Sequence, residues 1–275
     1  MDLFLSQDTD RPYDQQAGCR RTDLPGGAGR LKAGAGLFSN DSLFNGRLIC
    51  RQFRQGYRYS VDAVLAAHFL KPRLHDTLLD LGCGSGIIAL ILAHRHPGVR
   101  VVGIEVQAEL ATLAGRNVLV NNLADRVRIM HGDLRRIGEF VPAESFDGVV
   151  CNPPYGQPCR GRISPNDQRA RARHEIDTGL DDILRAASFS VRNRGSVVVV
   201  YPARRSATLI TALKGRRLEP KRLQPVYSYP GSPEATLVLV EAVKNGGEEV
   251  RIQAPFHIYR ERSGPFSDAL LKLYR

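Results

Sequence analysis

Thr77-Leu78-Leu79-Asp80-Leu81-Gly82-Cys83-Gly84-Ser85-Gly86-Ile87-Ile88-Ala89 decides the fold of this chain. Its first five residues read as a short buried strand, and the glycine-rich run that follows opens an apolar helix over residues 87–94. Glycines at alternate positions let backbone approach a ligand closely, and a helix N-terminus supplies N–H groups without partners. Working outward, residues 99–104 form the next apolar strand and run into Glu105; residues 127–130 form a third, followed by His131-Gly132-Asp133. A fourth, residues 146–151, leads into Asn152-Pro153-Pro154-Tyr155. Strands alternating with helices predict a mostly parallel α/β sheet, whose ligands belong at the carboxyl ends of its strands.

The acids and the glycines together narrow the ligand. Glu105, after the second strand, is placed to take both hydroxyls of a ribose; Asp133, after the third, lies near an adenine edge. Gly84-Ser85-Gly86-Ile87-Ile88-Ala89 also fits the dinucleotide pattern G-x-G-x-x-A. That match starts late after the strand, however, behind an additional Gly82 and behind Asp80, a charge that a pyrophosphate site would not want. A neutral-to-acidic lining favours S-adenosylmethionine, whose sulfonium is cationic and which carries no phosphate. Asn152-Pro153-Pro154-Tyr155 adds a second partner. The Asn152 amide oxygen and the Pro153 carbonyl can accept both protons of an exocyclic NH2, and Tyr155 can stack on the attached ring. Two prolines fix these acceptors before a substrate arrives.

Asp80-Leu81-Gly82-Cys83-Gly84-Ser85-Gly86, Glu105, Asp133 and Asn152-Pro153-Pro154-Tyr155 resemble the class I S-adenosylmethionine-dependent methyltransferases that modify amino nitrogens. Two further stretches, residues 55–66 (Gln-Gly-Tyr-Arg-Tyr-Ser-Val-Asp-Ala-Val-Leu-Ala) and Ala172-Arg173-His174-Glu175, resemble the bacterial tRNA(Val) adenine-N6-methyltransferase family. The resemblance spans about residues 43–275. It implies a Rossmann-like, mostly parallel seven-stranded sheet with a C-terminal antiparallel hairpin and helices on both faces. It implies S-adenosylmethionine as methyl donor, S-adenosylhomocysteine as product, and no metal. Carried over residue by residue, the cofactor is held by Tyr59, Ser60, Asp62, Asp80, Gly82, Cys83, Gly84, Gly86, Glu105, Val106, Asp133, Leu134 and Asn152. Asn152, Pro153, Pro154 and Tyr155 act on the substrate, most simply N6 of an adenosine in a tRNA anticodon loop. A ribosomal RNA adenine or guanine N-methyltransferase and a protein-glutamine N5-methyltransferase share the motif. The latter usually adds a helical substrate domain, for which little chain is left here.

Charge points the same way. The chain of 275 residues carries a formal net charge of +11. Residues 160–222 hold 15 Lys/Arg against 6 Asp/Glu, so +9 of that excess lies in one segment directly after the catalytic motif. Arg160, Arg162, Arg169, Arg171 and Arg173, with His174, are the expected RNA contacts, and Arg204, Arg205, Arg216 and Arg217 extend the same surface. Cys19, Cys50, Cys83, Cys151 and Cys159 are odd in number and lack C-x-x-C spacing, which argues against a disulfide framework or a zinc site. No secretory leader and no apolar run long enough to span a membrane are visible, so a cytoplasmic protein, monomeric or weakly dimeric, is expected.

Residues 1–40 show little apolar periodicity and read as a flexible tail; residues 41–275 form the methyltransferase domain. Within it, a hairpin over residues 47–58 precedes a helix over residues 60–70 that is N-capped by Ser60, the hairpin and helix together occupying residues 45–70. A basic loop follows over residues 156–178. Helices are predicted at residues 107–121, 179–191 and 203–214, strands at 195–201, 217–227 and 235–243, and a closing turn at 270–274. Of the histidines that a proton-transfer role would recruit, His68, His131 and His174, all three suit structure or RNA contact better.

Overall fold

The structure is a computed structural model that describes residues 37–55, 58–153 and 179–275. Its core is a sheet of strands β3 (Thr77–Leu81), β4 (Arg100–Glu105), β5 (Val127–His131), β6 (Phe146–Cys151), β7 (Val191–Pro202), β8 (Leu218–Tyr227) and β9 (Ala235–Lys244), in the order β8-β9-β7-β6-β3-β4-β5. Only β9 runs against its neighbours. The expected seven strands and C-terminal antiparallel hairpin are therefore present. Two two-residue strands, β10 (Arg251–Ile252) and β11 (Phe256–His257), lengthen the β8 edge in parallel. A separate hairpin of β1 (Phe38–Leu43) and β2 (Leu48–Phe53) precedes the sheet. It lies earlier than the 47–58 expected, because Phe44, Asn45 and Gly46 all take positive φ and turn the chain there.

Strand side chains alternate between two cores. Leu78, Val150, Val198 and Val200 face α1 (Val61–Phe69), α2 (Ile87–Arg95) and the β1–β2 hairpin. Leu79, Leu81, Val149, Val197 and Val199 face the opposite layer, built from a 3-10 turn at Leu134–Glu139 and helices α4 (Leu180–Ser190) and α5 (Ser206–Gly215). Helix α3 (Ala108–Val120) follows β4, and α6 (Asp268–Lys272) closes the chain, with Phe44 N–H donating to the Tyr274 carbonyl. Ser60 stands at the N-cap of α1 as expected, but its side chain makes no capping bond.

The sheet order reverses between β3 and β6, and there the registers align the ligand-facing ends. Leu81 pairs with Cys151 on one side and with Ile104 on the other, and Ile104 pairs with Met130. One residue further along, Asn152, Gly82, Glu105 and His131 therefore leave the sheet in a single row. Neighbouring strands are about 5 Å apart, so Asn152 and Gly82 emerge side by side. This is the crevice that open α/β sheets use for ligands.

Candidate active site

Gly82, Gly84 and Gly86 all take positive φ, a conformation that side-chain-bearing residues adopt only with strain. Gly82 is exposed, and a Cβ built on it would meet nothing within 4 Å, so open space lies on its outer side. Gly86 is different: a Cβ there would come 3.2 Å from the Ala114 Cβ, so its small size lets α3 pack against the loop. The loop is tied down from behind, since Gly82 N–H and Cys83 N–H both donate to the Ile104 carbonyl. Cys83 turns its thiol inward toward Gly103 of β4, where a Cβ would lie only 2.9 Å from Sγ. What Cys83 offers a ligand is thus backbone shape and not sulfur chemistry.

Glu105 is buried and bidentate toward backbone. One oxygen accepts from Gly84 N–H at 2.8 Å and the other from Gln107 N–H at 2.9 Å. Burial raises its pKa above the usual carboxylate range, opposed by those amides and by that of Val106. Asp80 is more extreme. It is 0% exposed, and neither carboxylate oxygen has a hydrogen-bond partner among the described residues. Burial pushes its pKa up to about 8, against a weaker pull from the Ala89 backbone and reinforced by the nearby Glu105 charge. Asp62, in the first turn of α1, is buried with one oxygen unpartnered, and burial raises its pKa to about 6 despite the Ser60 hydroxyl. Buried carboxylates without partners destabilise a fold, and such groups concentrate at ligand sites. Asp80, directly before the glycine loop with both oxygens unpartnered, fits a ligand that brings positive charge and hydrogen-bond donors, as S-adenosylmethionine does.

Asp133 sits at the end of β5 in another setting. Its side chain caps the 3-10 turn by accepting from Arg135 N–H, and the Arg135 guanidinium grips both oxygens at 2.7–3.1 Å. Those bonds hold its pKa below the ordinary value. Leu134, the next residue, is buried in the core on the 3-10 turn side, and the Val106 carbonyl meets His131 Nε2 at 2.9 Å. His131 is thereby committed to backbone. His68, in the last turn of α1 and at the far end of that helix from Asp62, is held neutral by burial with a pKa of about 3. Neither histidine is placed as a base. Asn152 is half-buried and Pro153 buried at the end of β6. Pro154, Tyr155, Arg160, Arg162, Arg169, Arg171, Arg173 and His174 lie outside the described residues. Of the arginines expected to extend the basic surface, Arg204 pairs with Glu234 and Arg216 with Asp181, while Arg205 lies over the Tyr201 ring. Much of the charge in this described part is consumed locally.

The residues that sequence reading missed are those that hold the site together. Gln52, 1% exposed, accepts from Tyr59 N–H at 2.8 Å and donates to Asp41 at 2.6 Å. Arg58 completes that group through Asp41 at 2.8 Å and Ser39 at 2.7 Å. The β1–β2 hairpin thus fixes the approach to α1, where Tyr59, Ser60 and Asp62 stand. The hairpin also touches the glycine loop, where the Cys50 thiol lies 3.6 Å from the Ser85 hydroxyl.

Residues 60–164 match the Methyltransferase small domain family. A tRNA1(Val) (adenine(37)-N6)-methyltransferase of Bacteroides fragilis is 27% identical over 219 residues, 79% of this chain and 89% of that protein. One from Porphyromonas gingivalis is 33% identical over 154 residues, 55% of this chain and 60% of that protein. Among solved structures, a predicted O-methyltransferase of Agrobacterium tumefaciens aligns with a TM-score of 0.63 at 24% identity, over 78% of this chain and 95% of that one. The last likeness speaks to the fold alone.

Proposed function

We propose that this chain, a class I methyltransferase by its fold and family match, transfers a methyl group from S-adenosylmethionine to N6 of an adenosine in the anticodon loop of a tRNA. The observation that carries the reading is the sheet register, which brings Asn152 out beside Gly82 and one strand further from Glu105. A methyl acceptor bound at Asn152 would therefore meet a donor cradled by the glycine loop. Likeness to the tRNA1(Val) enzymes, and the +9 segment after Asn152, support tRNA as the acceptor.

When bound, S-adenosylmethionine supplies a methyl group already activated by the sulfonium. The chain's own work is binding and alignment. Glu105, preset by the amides of Gly84 and Gln107, is placed to accept from ribose hydroxyls. Asp80 and Asp62 give a buried acidic floor suited to the cationic end of the ligand. Asn152 Oδ1 and the Pro153 carbonyl accept from the adenine NH2, turning the nitrogen lone pair out of the ring plane toward the methyl donor. The proton leaves after transfer, when the nitrogen is strongly acidic, so no strong base is required. The target base has to be unstacked and splayed from its loop, and Tyr155 offsets that cost by stacking. The arginines at 160, 162, 169, 171 and 173, with His174, are proposed to contact phosphates. The enzyme is expected to act in the cytoplasm, and among the described residues no helix is long and apolar enough to cross a membrane.

The test is nucleoside mass spectrometry on tRNA and ribosomal RNA from a strain lacking this gene. N6-methyladenosine should disappear from one tRNA and return on complementation. Loss confined to ribosomal RNA, or no loss from any RNA, would overturn the tRNA assignment.

A further inference from the structure

The glycine loop owes its shape to residues behind it, and the densest of these contacts converge on one fully buried side chain. Asn117 of α3 is 0% exposed and uses its whole amide. Its Oδ1 accepts from Arg51 N–H at 2.9 Å; its Nδ2 donates to the Arg51 carbonyl at 3.0 Å and to the Ser85 carbonyl at 2.9 Å. Four residues on, Asn121 repeats half of this pattern: Oδ1 accepts from Ile49 N–H at 2.8 Å and Nδ2 donates to the Ile49 carbonyl at 2.7 Å. A helix brings i and i+4 onto one face about 6 Å apart, and a strand spaces i and i+2 by nearly the same distance. Two asparagines on α3 thus pair with the free edge of β2 as a neighbouring strand would. Only Asn117 reaches past the hairpin to the loop.

Ser85 has Gly84 and Gly86 as neighbours, both in the left-handed region, so the backbone on either side of it is free to take many shapes. The protein grips Ser85 on its inner side, through its carbonyl by Asn117 and through its hydroxyl by Cys50 at 3.6 Å, and leaves the outer side at Gly82 open. We infer that Asn117 is a positioning residue for the cofactor, holding the glycine loop in its binding shape before the ligand arrives and joining it to the hairpin that fixes Tyr59 and Ser60. Without that anchor, binding has to order the loop and its affinity falls. The inference rests on the cofactor reading given above.

Asn117→Ser and Asn121→Ala test it as a pair. Both remove bonds to β2 and both should lower the melting temperature, but only the first releases Ser85. Hydrogen exchange on the ligand-free protein should show faster exchange at residues 82–86 in Asn117→Ser and wild-type rates in Asn121→Ala. Calorimetry with S-adenosylhomocysteine should show a loss of about tenfold for Asn117→Ser and little change for Asn121→Ala, with kcat at saturating cofactor preserved in both. If Asn117→Ser does not fold, Asn117→Leu, which fills the same space but loses the donor to the Ser85 carbonyl, should give the same pattern. Equal loop exchange in the Asn117 and Asn121 variants, or equal cofactor affinity, would overturn the inference. A wild-type protein that binds no S-adenosylhomocysteine would instead overturn the cofactor reading, leaving the exchange result to decide the role of Asn117.

Discussion

The carboxyl edge of the sheet is built on two different plans. Where β3 and β4 end, Asp80, Cys83, Ser85 and Glu105 are all buried; the Glu105 carboxylate meets backbone amides, and the Asp80 carboxylate has no hydrogen-bond partner among the described residues. Where β5 and β6 end, Asp133 is partly exposed and gripped by a surface arginine, and Asn152 is half-buried. Burial moves acid pKa values up in the first region, and an exposed cation moves one down in the second. The difference matches two ligands of unequal size. On the function proposed above, a small cationic cofactor would be enclosed at β3 and β4, and a macromolecular substrate would approach across β5 and β6. The enclosed side carries the desolvation cost of the unpartnered Asp80 carboxylate, so stability is lower there without a ligand.

The largest effect that would test this division comes from Asn152→Ala. Turnover should fall by orders of magnitude while cofactor affinity measured by calorimetry changes little. A parallel loss of affinity would mean that the two halves are not separate. Next is Glu105→Ala, which removes the acceptor proposed for ribose and the anchor of Gly84 and Gln107. Cofactor binding should weaken by about 2–3 kcal/mol, roughly 30- to 150-fold. Unchanged affinity, or tight binding of NAD, would break the assignment.

Asp80 gives a pH signature. Its folded pKa of about 8 lies well above that of an unfolded aspartate, about 4, so the folded state holds the proton more tightly. The associated stability is complete below about pH 4 and is lost as pH rises toward 8. Asp62, raised to about 6, adds to the lower part of the same window. Asp80→Asn should therefore raise the melting temperature of the ligand-free protein more at pH 8 than at pH 5, while weakening cofactor binding. A melting curve that shifts equally at both pH values would count against an uncompensated carboxylate. The smallest effect belongs to the exposed side: Arg135→Ala breaks a surface ion pair worth about 0–1 kcal/mol and should barely move the melting temperature.

Much of this was legible in the residues. The strand Thr77–Leu81, the glycine loop after it and the acids at 105 and 133 after the next two strands stand where periodicity and spacing put them, because local geometry and burial agree there. The hairpin was misplaced because the turn at Phe44 and Asn45 uses left-handed non-glycine residues, which carry little signal besides the Asn-Gly pair. The packing of Gln52, Asn117 and Asn121 went unread. A trace of it was present, since Asn117 and Asn121 continue the apolar face of Leu110, Leu113, Ala114 and Val118 on α3, where a polar residue needs a partner. That partner is the backbone of β2, 66 to 72 residues away, and no local pattern announces it. The role of Asp133 was only half visible, because Arg135 two positions on could equally have pointed into solvent.

The central claim is that the chain methylates an amino nitrogen of tRNA at Asn152. Incubating the purified protein with methyl-labelled S-adenosylmethionine and either bulk tRNA or a total protein extract, then digesting to nucleosides and amino acids, tests it most directly. The account predicts label in tRNA as N6-methyladenosine, abolished by Asn152→Ala, and tRNA affinity whose steep fall with salt is flattened when Arg169, Arg171 and Arg173 are neutralised together. Label appearing as methylglutamine in protein and never in RNA would contradict it.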